Sequence, residues 1–174
     1  MLKGADEKTL APSRIVTIDA IFNGSYAENT KTAYSTEKFS FYYFESMPKY
    51  IAEVDGKKQK YDHIATYLRG AFSTQKYASH YHSCYGGNYG KAVFQNASPT
   101  GKGKLLTIVD SMSDPVLPLL IQHFDQIVSI DLRYYEEKTG KPFSLGEVIR
   151  DYDIDSVMFL GGEYVFSDGK LMIP

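Results

Sequence analysis

The stretch "GKLLTIVDSMSDPVLPLLIQHFDQIVSIDLRYY", residues 103–135, decides the fold class. Within it, "KLLTIVD" (104–110) is a continuous apolar run of strand length. "DPVLPLLIQHF" (114–124) reads as a helix, and "QIVSIDL" (126–132) as a second buried strand. Further on, "SLGEVIRDY" (144–152) predicts a helix and "SVMFLG" (156–161) a third strand. Uninterrupted apolar strands alternating with helices indicate a parallel sheet buried on both faces. Two consecutive right-handed crossovers follow from the handedness rule. The expectation is an α/β fold, a three-layer SGNH- or flavodoxin-like parallel sheet, with a β-α-β-α-β core over 101–174. Three strands are few for such a sheet, so partners are expected from the first half of the chain or from a region outside it.

That first half, to about residue 100, has a different texture. It is rich in Tyr, Lys, Ser and Thr, with short aromatic and β-branched runs: "RIVTIDAIF", "KFSFYYFES" and "KYIAEVDGKKQKYDH". "VDGKK" (54–58) places Asp-Gly between two extended segments, a strong hairpin signal. Residues 1–100 therefore read as a β-hairpin and loop-rich region of a single domain spanning 1–174. No internal repeat or low-complexity segment interrupts it.

Composition bounds the partners. The chain has 174 residues and a formal net charge of −2, which argues against a nucleic-acid binder, because phosphate neutralisation needs a basic face. Its fifteen Tyr suit half-buried strands and wet clefts, where the ring packs and the hydroxyl finds a partner. Cys84 is the single cysteine, so no internal disulfide is expected and no zinc cluster. No apolar run reaches the roughly 20 residues of a membrane span. The start, "MLKGADEKTLAPSR", lacks the apolar core of a signal peptide. Either the protein stays inside the cell or its true N-terminus lies upstream.

In open parallel sheets, ligands bind beyond the carboxyl ends of the strands. That rule selects Asp110-Ser111, Asp131-Leu132-Arg133 and Gly161-Gly162-Glu163. Ser111 leaves the first strand just before a helix start, where amides and the helix dipole favour developing negative charge. The competing reading is capping: Ser113 and Asp114 are good N-cap residues and Pro115 suits the first helical position. A phosphate or flavin site of flavodoxin-like type lacks its Gly-rich loop here. A nucleophilic serine needs a base, and the candidates are His63, His80, His82 and His123. His123 in "LIQHFDQ" reads as a surface residue near helix C-terminal carbonyls. His80 and His82 share a face in an extended segment and, with Cys84, invite a metal. Further ligands at a matching spacing are lacking, so no metal and no cofactor is expected. In "YGGNYG" (85–90), paired glycines permit close backbone approach to a ligand, and Asn88 can donate its amide to an oxyanion or a sugar. The competing reading is a Tyr- and Gly-rich turn.

Taken in order, these pieces resemble the C-terminal half of DHHW-family proteins, which are bacterial SGNH-hydrolase-like proteins related to alginate O-acetyltransferases. The resembling positions are Tyr77-Ala78, Gly86-Gly87-Asn88, Asp110-Ser111, Pro118-Leu119-Leu120 and Asp131-Leu132-Arg133-Tyr134, within roughly residues 70–161. "IFNGSYAENT" (21–30) is similar to the family's entry to its middle region. The resemblance implies Ser111 at the nucleophile position and Asn88 and Gly87, with the Ser111 amide, as oxyanion-hole donors. It gives Asp110, Asp131 and Arg133 supporting roles. It also implies a carbohydrate or acyl-ester substrate and an extracellular or cell-envelope location. Two departures stand against it: the chain has no Trp and no Asp-His-His-Trp motif, which in the family supplies acid and base, and Met112 replaces an aromatic residue. Asp62-His63 lies too far along the pattern to be that motif. The expectation is a domain portion of an O-acyl esterase or O-acetyltransferase, catalytically incomplete in this chain. The alternative is a non-catalytic glycan-binding or structural remnant of the same fold.

Overall fold

A computed structural model describes residues 12–21, 25–32, 38–44, 47–61 and 88–162. The chain divides into two compact units, one containing 48–62 and 88–174, the other 8–47 and 63–87. In the second unit, β1 (Arg14–Ile21) pairs antiparallel with β2 (Lys38–Tyr43), and a short helix α1 (Ser25–Thr30) lies between them in sequence. The pairing sets Ile15 opposite Tyr42, both exposed.

The first unit carries the larger sheet. Its strands are β3 (Tyr50–Val54), β4 (Lys57–Tyr61), β5 (Lys91–Asn96), β6 (Lys104–Val109), β7 (Gln126–Asp131) and β8 (Ser156–Leu160). They form one six-stranded sheet in the order β4-β3-β5-β7-β6-β8. The β6 strand is parallel to both β7 and β8, while β3, β4 and β5 add antiparallel strands beyond β7. The strands missing from the C-terminal half are thus supplied by the first hundred residues. The β3-β4 hairpin turns at Asp55-Gly56, both with positive φ (46° and 77°), as a two-residue Asp-Gly hairpin loop requires.

Strand alternation divides the core. Leu106, Ile108, Val128 and Ile130 cluster with Leu132 and Val148, with Ile149, Tyr152, Val157 and Phe159 packed around them. Val148, Ile149 and Tyr152 come from α4 (Leu145–Tyr152), whose start is set by Ser144, the side chain of which accepts from the Glu147 amide. The other face carries Leu105, Val109 and Ile127, also fully buried, because successive side chains point to opposite faces. The segment after β6 brings Leu117, Ile121 and Phe124 into the interior at 0–1% exposure.

That segment departs from the expected helix over 114–124. It makes a 3₁₀ turn at Ser111–Ser113 and then only a four-residue helix, α2 (Leu117–Leu120). Pro118 contributes to the difference, since it removes the donor that would bond back to Asp114, whereas Pro115, at a first helical position, has none to lose. A second short helix, α3 (Tyr135–Thr139), follows β7 and ends at Gly140 in the left-handed conformation.

Strand order gives this sheet a switch point. From β6 the chain crosses to β7 on one side, and from β7 it crosses back over β6 to β8. Right-handed crossovers in opposite directions lie on opposite faces of the sheet. The switch point therefore falls between the carboxyl ends of β6 and β7, the place where open α/β sheets bind ligands.

Candidate active site at the carboxyl edge of the sheet

Antiparallel β5 begins where parallel β7 ends, with Lys91 opposite Ile130 and the Asp131 amide donating to the Gly90 carbonyl at 3.1 Å. One sheet edge thus carries, in spatial order, Asn88 before β5, Asp131 to Tyr134 after β7, Asp110-Ser111 after β6 and Gly161-Gly162 after β8. Neighbouring strands are about 4.8 Å apart, so the strand ends carrying Asn88 and Ser111 lie roughly 10 Å apart across β7.

Ser111 opens the 3₁₀ turn and is half-buried. Directly before it, Asp110 is fully buried and extended (φ −123°, ψ 179°). Its Oδ1 accepts from the Met112 amide at 2.8 Å and its Oδ2 from the Gly162 amide at 2.6 Å. Asp110 is therefore the N-cap of this turn. The expected caps, Ser113 and Asp114, cap neither element: the turn is capped by Asp110, and the N-cap of α2 is Val116, which makes no side-chain cap bond. The Ser113 hydroxyl, 2% exposed, sits 2.6 Å from the Asp110 carbonyl and 2.8 Å from the Leu160 carbonyl, either of which can accept its hydrogen bond. Met112 points outward, 76% exposed.

Asp114 is buried beneath this turn. Its carboxyl is pushed up to about 7, by burial first and then by the nearby Asp131 and Asp110 carboxylates, against the opposing pull of Arg133. Tyr89 is buried with it. The Tyr89 hydroxyl lies 2.9 Å from the Ser129 hydroxyl on β7, and its pKa is raised by burial and by Asp114. Tyr89 thereby anchors the segment that carries Asn88.

Asp131 and Arg133 form a local clamp. The Asp131 Oδ1 accepts from the Arg133 amide at 3.0 Å and from Arg133 Nε at 2.9 Å, and the guanidinium also reaches Oδ2. Asp131 is 4% exposed, so the pair is mostly desolvated and worth more than a surface ion pair in geometric terms. The guanidinium lies over the Tyr134 ring, 5.2 Å from its centroid. Asn88 donates from Nδ2 to the Tyr134 hydroxyl at 2.9 Å. This close approach needs Gly90: a Cβ there would meet Lys138 Cβ at 2.9 Å and Tyr134 O at 3.0 Å. Asp55 in the hairpin turn fixes the same segment, accepting from the Gly90 and Lys91 amides at 2.9 and 3.0 Å.

The structure therefore gathers Asn88, Asp110, Ser111, Asp131 and Arg133 at one edge. Gly87, Gly86, Tyr77-Ala78, Asp62-His63, His80, His82 and Cys84 lie outside the described residues. His123 is the one histidine within them. It is half-buried rather than exposed, with Nδ1 enclosed and no hydrogen-bond partner among the described residues. It also precedes β7, at the opposite end of the sheet, and a six-residue strand is about 20 Å long. It cannot serve Ser111. Among the described residues, no group of three or more His, Cys, Asp or Glu is placed to hold a metal ion, and no helix is long and apolar enough to cross a membrane.

Sequence reasoning missed the interior partners: Tyr89, Ser129 and the buried state of Asp114. Asp114 was visible only as a cap candidate, and Tyr89 only as one tyrosine of the turn. Gly162 was flagged by its strand end, but its bond to Asp110 spans 52 residues and has no local signal.

The sequence matches no family model and no curated protein. Solved structures share its fold. PatB1 from Bacillus cereus, in a structure with a sulfonyl adduct, aligns with a TM-score of 0.66 at 18% identity, over 94% of this chain and 51% of that one. A second PatB1 structure aligns at 0.63 and 18% identity, over 92% and 52%. A DHHW-family protein from Eubacterium siraeum aligns at 0.61 and 20% identity, over 91% and 52%. The DHHW resemblance in the sequence thus meets the same fold in a solved DHHW-family structure. The chain spans about half the length of each of these structures.

Proposed function

We propose that this chain is part of an SGNH-like O-acyl esterase or O-acetyltransferase acting on a carbohydrate of the bacterial cell envelope, with Ser111 as the nucleophile. The observation that carries the reading is the seat of Ser111, on a turn capped by buried Asp110 at the switch point of the sheet. The fold shared with PatB1 supports it, as does the sulfonyl adduct on that protein, because sulfonyl electrophiles form adducts with activated nucleophiles.

The chemistry is acyl transfer. Ser111 Oγ attacks the acyl carbonyl carbon and its proton passes to a base. Backbone amides of the turn and Asn88 stabilise the oxyanion. Collapse expels the alcohol, which takes the proton, and leaves an acyl-serine. Water or a sugar hydroxyl then accepts the acyl group by the reverse sequence. The described residues place no histidine beside Ser111, so the base comes from His63, His80 or His82 or from a partner segment carrying Asp-His-His-Trp. In the latter case this chain by itself is catalytically incomplete.

A second reading is favoured by Tyr134, Arg133 and Asn88, an aromatic face with polar groups at the same edge. There the chain binds a glycan without chemistry. Intact-mass detection of labelling by an alkylsulfonyl fluoride or fluorophosphonate separates the two, with Ser111→Ala and Ser113→Ala controls. A single adduct lost in Ser111→Ala and kept, more slowly, in Ser113→Ala is expected. Unlabelled, folded protein that still binds glycan through Tyr134 replaces the first reading with the second.

A further inference from the structure

Two contacts join the end of β6 to the end of β8, and both run through residues flanking Ser111. The buried Asp110 carboxylate accepts from Met112 N at 2.8 Å within the turn and from Gly162 N at 2.6 Å beyond β8. On the other side of Ser111, the buried Ser113 hydroxyl lies 2.8 Å from the Leu160 carbonyl and 2.6 Å from the Asp110 carbonyl, and its one proton serves one of them at a time. Ser111 is thus held between two ties to the same neighbouring strand end.

We infer that Asp110 and Ser113, through the Gly162 amide and the Leu160 carbonyl, form a latch from β6 to β8 that positions Ser111. The role rests on the reading of Ser111 as nucleophile, but the latch itself does not. It is a positioning device, because neither side chain needs to touch the substrate. The chemistry of the donors makes Asp110 specific: two N–H groups face two carboxylate oxygens. Asn offers one oxygen and one N–H₂, so one amide must then face another donor. Glu is a methylene longer and does not fit a fully buried site without displacement. Releasing Gly162 frees the β8 side of the turn, and small misplacements of a reacting atom carry large rate penalties.

The test uses the full chain and its Asp110→Asn, Ser113→Ala and Ser111→Ala variants. Two measurements are made: the saturation kinetics of alkylsulfonyl fluoride labelling, and residue-resolved amide hydrogen exchange. For Asp110→Asn the maximal labelling rate is expected to fall about 10- to 100-fold, with the half-saturating probe concentration unchanged within about two-fold. Ser113→Ala is expected to fall in the same direction by a smaller factor. In exchange, the Met112 and Gly162 amides should lose protection together in Asp110→Asn while the β6 and β8 strand amides keep theirs. An unchanged maximal rate, or a change confined to the half-saturating concentration, overturns the positioning role. If the parent chain does not label, it lacks the base that activates Ser111, and exchange alone decides the latch. Met112 and Gly162 protection equal to the parent's in Asp110→Asn then refutes it, and their joint loss upholds it.

Discussion

At the scale of single residues, Asp114 is a carboxyl whose ionisation the fold resists. It is 8% exposed and sits with Asp131, Asp110 and Tyr89, with Arg133 as the favourable charge. Its carboxyl is raised to about 7, against roughly 4 in an unfolded chain. The folded state therefore keeps its proton where the unfolded state has lost it. Stability from this group is fully present below about pH 4, declines as pH rises toward 7, and stays at its reduced level above. Asp114→Asn removes the titration. Denaturant unfolding at pH 5 and pH 8 should show the parent losing on the order of 2 kcal/mol more than the variant over that interval. Equal losses would mean that Asp114 ionises as an ordinary carboxylate. Labelling at Ser111 should follow the same profile if loosening of this cluster reaches the turn above it.

At the scale of elements, the opposite edge of the sheet is tied by Asp125, just before β7. Its carboxylate accepts from the amides of Thr100, Gly101 and Lys102 at 2.7, 2.6 and 3.0 Å, and its own amide donates to the Gly103 carbonyl. These bonds hold its pKa below the usual range, outweighing the effect of burial. The loop 97–103 connects β5 to β6, and Gly101 and Gly103 adopt positive φ to make the bend. Asp125→Ala should therefore destabilise the sheet by roughly 1 kcal/mol, the scale for hydrogen bonds to a charged group discounted for its exposure to solvent. Because the folded pKa is depressed, this contribution is present above the unfolded value near 4 and disappears as pH falls through the folded one. A thermal midpoint difference between parent and variant that narrows below pH 4 is the expected outcome. A difference constant down to pH 2 would assign the loss to packing instead. Since Asp125 lies a strand length from Ser111, its loss should leave the half-saturating concentration for labelling unchanged.

At the scale of the whole molecule, no histidine stands beside Ser111 among the described residues. The described residues bring Ser111, Asp110, Asp131, Arg133 and Asn88 to one edge, while their only histidine sits at the other. Solved structures of the same fold are about twice as long as this chain. Supplying an upstream segment with an Asp-His-His-Trp motif, fused or in trans, should raise turnover of an acetyl ester by several orders of magnitude, as restoring a triad base does. Unchanged turnover with a demonstrably bound segment would direct attention to glycan binding at Tyr134.

Much of this architecture was legible in the linear chain, and the rest was not, for a physical reason. Apolar runs at 104–109, 126–131 and 156–160 identify strands because periodicity and length are local properties, and the last, at the sheet edge, is half-buried. Asp55-Gly56 identifies its hairpin because only a few residues accept positive φ. The strand-end rule then places Ser111 at the carboxyl edge of the sheet. What spans long separations had no such signature. The order β4-β3-β5-β7-β6-β8 depends on which edges pair. The choice of Asp110 over Ser113 and Asp114 as cap depends on Gly162, 52 residues away. The near-neutral pKa of Asp114 depends on burial against Tyr89 and Asp131. Local pattern by itself determined the core strands, the hairpin and where the serine falls; only tertiary packing decided which buried polar groups hold it there, because desolvation and pairing arise between segments that meet only on folding.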